Sequence, residues 1–133
     1  MNLRTLEKSD VYWVEEIVSE IFHTGDVESF FKNENYKIIG IENVAFAIFQ
    51  LVAGEAEIIY IAVREEFRRQ GIGGKMLEYF TQNFKPESIF LEVRESNINA
   101  QKMYEKYNFK NIGIRKGYYE GGEDALLMEW KIC

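Results

Sequence analysis

Residues 58–80 read IIYIAVREEFRRQGIGGKMLEYF. Ile58 to Val63 are β-branched, aromatic or small, the composition of a buried strand. Arg68-Arg69-Gln70-Gly71-Ile72-Gly73-Gly74 then makes a glycine-rich turn. After it, Ile72, Met76, Leu77, Phe80 and Phe84 recur on one helical face until Pro86 stops the helix. Strand, glycine turn and helix in that order present unpaired backbone N–H groups at the positive end of a helix dipole, a natural seat for a pyrophosphate. Gly71 and Gly73 let a ligand approach the main chain closely, and Arg68 and Arg69 add positive charge. Taken alone, the pattern also fits a glycine-rich lead into a helix that binds nothing. It lacks the Gly-Lys-Ser/Thr ending of a Walker loop and the G-x-G-x-x-G spacing of a Rossmann turn, which disfavours nucleotide hydrolysis and hydride transfer.

Upstream of this stretch, Tyr36 to Ile41, Val44 to Val52 and Glu55 to Val63 are strand-like runs separated by the hairpin-length breaks Glu42-Asn43 and Ala53-Gly54. They predict an antiparallel meander. Before them come a short strand at Leu3 and Arg4 and a helix capped by Asp10, with Val11, Val14, Ile17, Val18 and Ile21 at helical spacing. A second helical piece covers about Val27 to Lys32. Downstream, Ile89 to Val93 reads as a buried strand, and Ala100, Met103, Tyr104 and Tyr107 mark one face of a helix beginning near Asn97. Two last strands, Phe109 to Lys116 and Asp124 to Lys131, flank a turn at Gly121-Gly122. The order β-α-α-β-β-β-α-β-α-β-β predicts a mixed α/β sheet with a right-handed helical crossover between its fourth and fifth strands.

No repeat or linker divides the 133 residues, of which 47% are hydrophobic, so residues 1–133 are expected to form one domain with a substantial core. Sixteen Lys and Arg against twenty-two Asp and Glu leave a formal charge of −6, which argues against nucleic acid and fits a cationic substrate better. Modest negative charge also simply keeps a protein in solution. The opening MNLRTLEKSD carries charges where a signal peptide or membrane span would be apolar, and a single cysteine, Cys133, points to a reduced compartment, so the expectation is a cytoplasmic protein with no membrane partner. One histidine and one cysteine cannot furnish the usual zinc site, so no metal is expected. A Ser/His/Asp triad would have to use His23, which sits in a polar stretch with no nucleophile elbow in the chain; His23 and Cys133 read as a helix-end histidine and a reduced thiol.

The strand ending Ile61-Ala62-Val63, the RRQGIGG turn, LEVRESN at 91–97 and KMYEKYNF at 102–109 together resemble the acetyl-CoA-binding core of the GNAT superfamily of N-acetyltransferases. The order of elements is similar to that family's over the whole chain. LEVRESNINAQKMYEKYNF and the tail GYYEGGEDALLMEW further resemble the RimI-type protein N-terminal alanine acetyltransferases. The resemblance implies a GNAT acyl-CoA N-acyltransferase fold and transfer of an acetyl group from acetyl-CoA to an amine, typically the N-terminus of a small-subunit ribosomal protein. It implies that the backbone of Ile61, Ala62 and Val63 binds the pantetheine arm, that Arg68, Arg69, Gln70, Gly71, Ile72, Gly73 and Gly74 hold the pyrophosphate, and that Asn97 touches the cosubstrate. It further implies Glu92 as general base and Tyr104 as the general acid that protonates the departing thiolate.

Those roles are chemically reasonable. An α-amino group titrates near 7.7–8.0, so a positioned carboxylate has only a mildly acidic ammonium to deprotonate; a lysine near 10.4 is harder. A backbone N–H can stabilise the oxyanion, and no covalent enzyme intermediate is needed. Other readings stay open. Glu92 alternates with Leu91 and Val93 as the polar face of a half-covered strand would, and Glu57, on the preceding strand, is a rival base. Tyr104 also fits a core tyrosine, and Tyr118 and Tyr119 fit either an acceptor wall or a core edge. FHTGDVESFFKNEN at 22–35 replaces the aromatic, proline-containing segment usual in RimI-type proteins, and that leaves the acceptor less defined than the reaction. Lys75 and the cluster Glu120, Glu123, Asp124 bias acceptor choice or form a solvated charge run, the latter being expected. A small-molecule amine acetyltransferase and a noncatalytic acyl-CoA-binding module are the competing functions.

Overall fold

Three strands rich in β-branched and aromatic residues, β2 (Tyr36–Ile41), β3 (Ala45–Val52) and β4 (Glu55–Val63), form the antiparallel meander that the sequence predicts. The computed structural model describes residues 2–23 and 26–132. Thr24, Gly25 and the expected thiol of Cys133 lie outside the described residues. The remaining elements are β1 (Leu3–Thr5), α1 (Val11–Phe22), α2 (Glu28–Phe31), α3 (Ile72–Phe84), β5 (Ser88–Arg94), α4 (Ile98–Lys106), β6 (Lys110–Arg115) and β7 (Ala125–Lys131). They make one seven-stranded sheet in the order β1-β2-β3-β4-β5-β7-β6, a mixed α/β arrangement in which only β4 and β5 run parallel. α3 makes the crossover between them, and β7 inserts between β5 and β6.

Both faces of the meander half are covered. Trp13, Val14, Ile17 and Val18 of α1 are fully buried against Ile38, Phe46 and Ile48. On the opposite face Met76, Leu77 and Phe80 of α3 pack with Ile39, Phe49, Ile89 and Leu91, and the Phe49 and Phe80 rings stack at 3.7 Å. Each such side chain fully removed from water contributes about 1.5–3 kcal/mol.

Asp10 precedes α1 as expected, yet its side chain does not cap that helix. A short 3₁₀ turn, Lys8–Asp10, comes first, and the carboxylate turns back to accept from the Glu7 backbone N–H, the Trp13 indole N–H and the Arg4 guanidinium. The indole donor of a fully buried tryptophan needs an acceptor, and this demand wins over the helix end. His23 closes α1 in the left-handed conformation and is exposed, as a helix-end histidine should be.

Candidate active site

β4 and β5 are hydrogen-bonded only over Glu55–Glu57 and Ser88–Phe90. Between Ile48 and Phe49 the β3–β4 register slips by one residue, leaving Ile59 as an extra residue in β4. Such a bulge bends its strand and raises its twist, and here the last two-thirds of β4, from Ile58 on, departs from β5. The gap opens into a cleft of about 1110 Å³. Arg64 N–H donates to Val44 O on the β3 side, so strand alternation turns the main-chain groups of Ile61 and Val63 toward the open side. Ala62 faces β3 instead. Of the open groups, Val63 O is taken by Arg68 Nε at 2.8 Å.

The floor of the cleft is the start of α3. Lys75 N–H donates to Gly71 O as the first helical bond, so the preceding N–H groups have no partner within the helix. Gly71 sits at φ +76, and a Cβ there would have nothing within 4 Å. Gly74 is a glycine for another reason. A Cβ on it would run into the hydroxyl of Tyr107, the residue that closes α4, so the glycine lets α3 and the end of α4 meet. Arg68, Arg69, Ile72 and Gly73 also line the cleft, whereas the side chain of Gln70 is exposed and does not.

Glu92 and Tyr104 reach the same cleft from opposite faces of the sheet. Glu57 pairs with Gln50 and Phe90, which places Glu57, Phe90 and Glu92 on the face that α1 and α2 occupy farther along the sheet. Tyr104 projects from α4 into the core on the other face, beside Phe109. Only where β4 and β5 are apart can both meet. Glu92 is half-buried, and its Oε2 is shut from solvent without a hydrogen-bond partner, a costly state for a carboxylate oxygen. Tyr104 is 4% exposed, and burial pushes its hydroxyl pKa well above the ordinary tyrosine value, so it stays protonated.

Glu57 is diagonal to Glu92 but does not line the cleft. Its pKa is raised, first by burial and then by the charge of Glu92, with Arg115 opposing. Asn97 lines the cleft and also caps α4, its Oδ1 accepting from Ala100 N–H at 3.2 Å. Tyr119 joins the wall near Glu92, while Tyr118 is exposed. The solvated charge run expected at 120–124 holds for Glu120 but not for its neighbours. Glu123 accepts from Arg94 and the Ser96 N–H, and Asp124 from the Gly117 N–H. Arg94 and Tyr107 are wall residues for which the sequence gives no separate signal, Tyr107 standing there only as the last member of the apolar stripe that α4 carries.

The Acetyltransferase (GNAT) family matches residues 3–109. The chain belongs to the GNAT family of acetyltransferases. A GNAT relative, the ribosomal protein bS18-alanine N-acetyltransferase of Salmonella typhimurium, is 34% identical over 113 residues, covering 76% of each chain. An N-alpha-acetyltransferase of Saccharolobus solfataricus is 47% identical over 78 residues, 56% of this chain; the match spans about half of that relative, 47% of its length. In fold, the crystal structure of the ribosomal-protein-S18-alanine N-acetyltransferase from Escherichia coli superposes with TM-score 0.86 at 31% identity over 98% of this chain and 93% of that one. The acetyl-CoA that the GNAT family implies is compatible with what the cleft offers: an uncovered helix start, an open Gly71, two arginines and an unpaired strand edge. Among the described residues no cluster of His, Cys, Asp or Glu is arranged to hold a metal ion.

Proposed function

We propose that this chain transfers the acetyl group of acetyl-CoA to a primary amine, and specifically to the N-terminal α-amino group of a protein that begins with alanine or another small residue, of the ribosomal-protein type. The observation that carries the reading is the pairing of Glu92 and Tyr104 across the cleft, one an orphaned carboxylate and the other a tyrosine held protonated. The named activities of the bacterial and archaeal relatives support the choice of amine. Residues 1–133 act as one catalytic domain in this reading, with a cytoplasmic location and neither nucleic acid nor membrane as partner.

Arg69, Gly71, Ile72 and Gly73 hold the pyrophosphate on the open N–H groups, Ile61 and Val63 pair with the pantetheine arm, and Asn97 lies beside it. Bound so, acetyl-CoA supplies an acyl thioester at the gap. Glu92 takes the proton of the incoming ammonium, directly or through one water, and the neutral amine attacks the thioester carbon. An N–H on the open edge of β4 stabilises the developing oxyanion. Tyr104 gives its proton to the departing thiolate, and the second proton shed by the attacking nitrogen as the tetrahedral adduct collapses restores it through solvent.

The test is mass spectrometry of reactions with acetyl-CoA and a panel of free-N-terminal peptides, N-blocked lysine peptides and small amines. Acetyl mass on α-amines of peptides with small first residues is expected. Labelling confined to small amines or lysines would overturn the acceptor assignment, and acetyl-CoA binding without any transfer would favour a noncatalytic role.

A further inference from the structure

The loop from Lys116 to Asp124, between β6 and β7, is fastened at one place to the end of β5. Glu123 is the fastener. Its Oε1 accepts from Arg94 Nη1 at 3.0 Å and its Oε2 from the Ser96 N–H at 2.8 Å, while its neighbour's carbonyl, Asp124 O, accepts from the Glu95 N–H at 3.1 Å. These bonds hold the Glu123 carboxyl below its ordinary pKa, the contact with Ser96 foremost, so it remains charged at neutral pH. Arg94 then lies over the Tyr119 ring, 4.1 Å from its centre. Within the loop, Tyr119 N–H donates to Glu123 O, and Tyr119 O accepts from the Gly122 N–H. Nothing in the catalytic reading uses Arg94 or Glu123.

Tyr119 is the part of this loop that lines the cleft, on the same wall as Glu92. Two flexible, half-exposed side chains form a weak pair in isolation. Here the carboxylate is spanned by a guanidinium and a backbone N–H, and the guanidinium is itself stacked, so each partner is ordered by more than one contact. Arg94 ends β5, and Ser96 lies in the turn that leads directly from it into Asn97 and α4. The loop wall and the turn beside the cosubstrate are thus one connected unit.

We propose that Arg94 and Glu123 are positioning residues for the acceptor: they hold the Tyr119 ring against the incoming peptide beside Glu92. This inference rests on the acceptor site proposed above. Glu123→Gln removes the charge and weakens both bonds. It is expected to raise the acceptor KM about tenfold, the loss that goes with a weakened charge-assisted hydrogen bond, with kcat and the acetyl-CoA Kd within about twofold. Tyr119→Ala should raise KM as well, and adding Glu123→Gln to it should cost nothing more, because both act through one ring.

Amide hydrogen exchange gives a readout that needs no acceptor. Residues 117–124 should lose protection in Glu123→Gln while α1 and α3 keep theirs. Unchanged exchange, or KM penalties that simply add, would overturn the proposal. A fall in kcat with KM unchanged would do the same. If the wild type acetylates only lysines or small amines, the α-amine reading fails and the same KM comparison on that acceptor still decides the latch. Faster loop exchange in a chain that acetylates nothing would end the acceptor role altogether.

Discussion

Glu92 shows how much one side chain owes to its strand. Alternation along β5 puts Leu91 and Val93 into the core and leaves Glu92 on the opposite face, and the sequence already marks it out within LEVRESN. The sequence does not show that Oε2 ends without a partner, because that depends on what β4 leaves uncovered. Glu57 is a rival by residue type, and its place outside the cleft wall separates it from Glu92 in the structure. Replacing Glu92 by Gln keeps the shape and removes the base. kcat/KM in a continuous CoA-release assay should fall about 10²- to 10⁴-fold, with acetyl-CoA affinity by calorimetry unchanged. Near-wild-type turnover would move the proton transfer to Glu57 or to solvent.

At the scale of elements, the turn into α3 combines two different uses of glycine that the string RRQGIGG does not distinguish. Gly71 faces open space in a left-handed conformation, so Gly71→Val both strains the backbone and fills the room above the helix start. Calorimetry should show acetyl-CoA affinity lost in that variant while the fold, followed by circular dichroism, persists. Gly74 faces Tyr107, so its role is legible only once α3 and α4 are docked. Gly74→Ala overpacks that contact and should lower stability by about 1–3 kcal/mol in urea unfolding. Adding Tyr107→Ala should return part of the loss; a double variant no more stable than the single one would mean that the helices are held apart by something else.

At the scale of the molecule, stability depends on pH through Asp10. Its hydrogen bonds to Arg4, the Glu7 N–H and Trp13 hold its pKa well below the ordinary carboxylate value. The unfolded chain therefore binds this proton first as pH falls, and the stabilisation, complete above about pH 4–5, is lost as pH drops through the folded-state value. Asp10→Asn should cost about 1.5–3 kcal/mol at pH 7 and flatten the decline of melting temperature between pH 5 and pH 2. An unchanged acid slope would assign that decline to other carboxylates. The amino-acid sequence by itself determined the elements, their order, the meander, the crossover and the residue types at the glycine turn, because hydrophobic periodicity and turn chemistry act over a few residues. Tertiary structure alone decided that β7 inserts beside β5, that Asp10 serves Trp13 rather than α1, and that Glu123 fastens a loop read as solvated. It alone brought Glu92 and Tyr104, from opposite faces, to one opening between β4 and β5. Those outcomes rest on pairings between residues far apart in the chain, and local propensity carries no information about which distant strand edge or buried donor a group will meet.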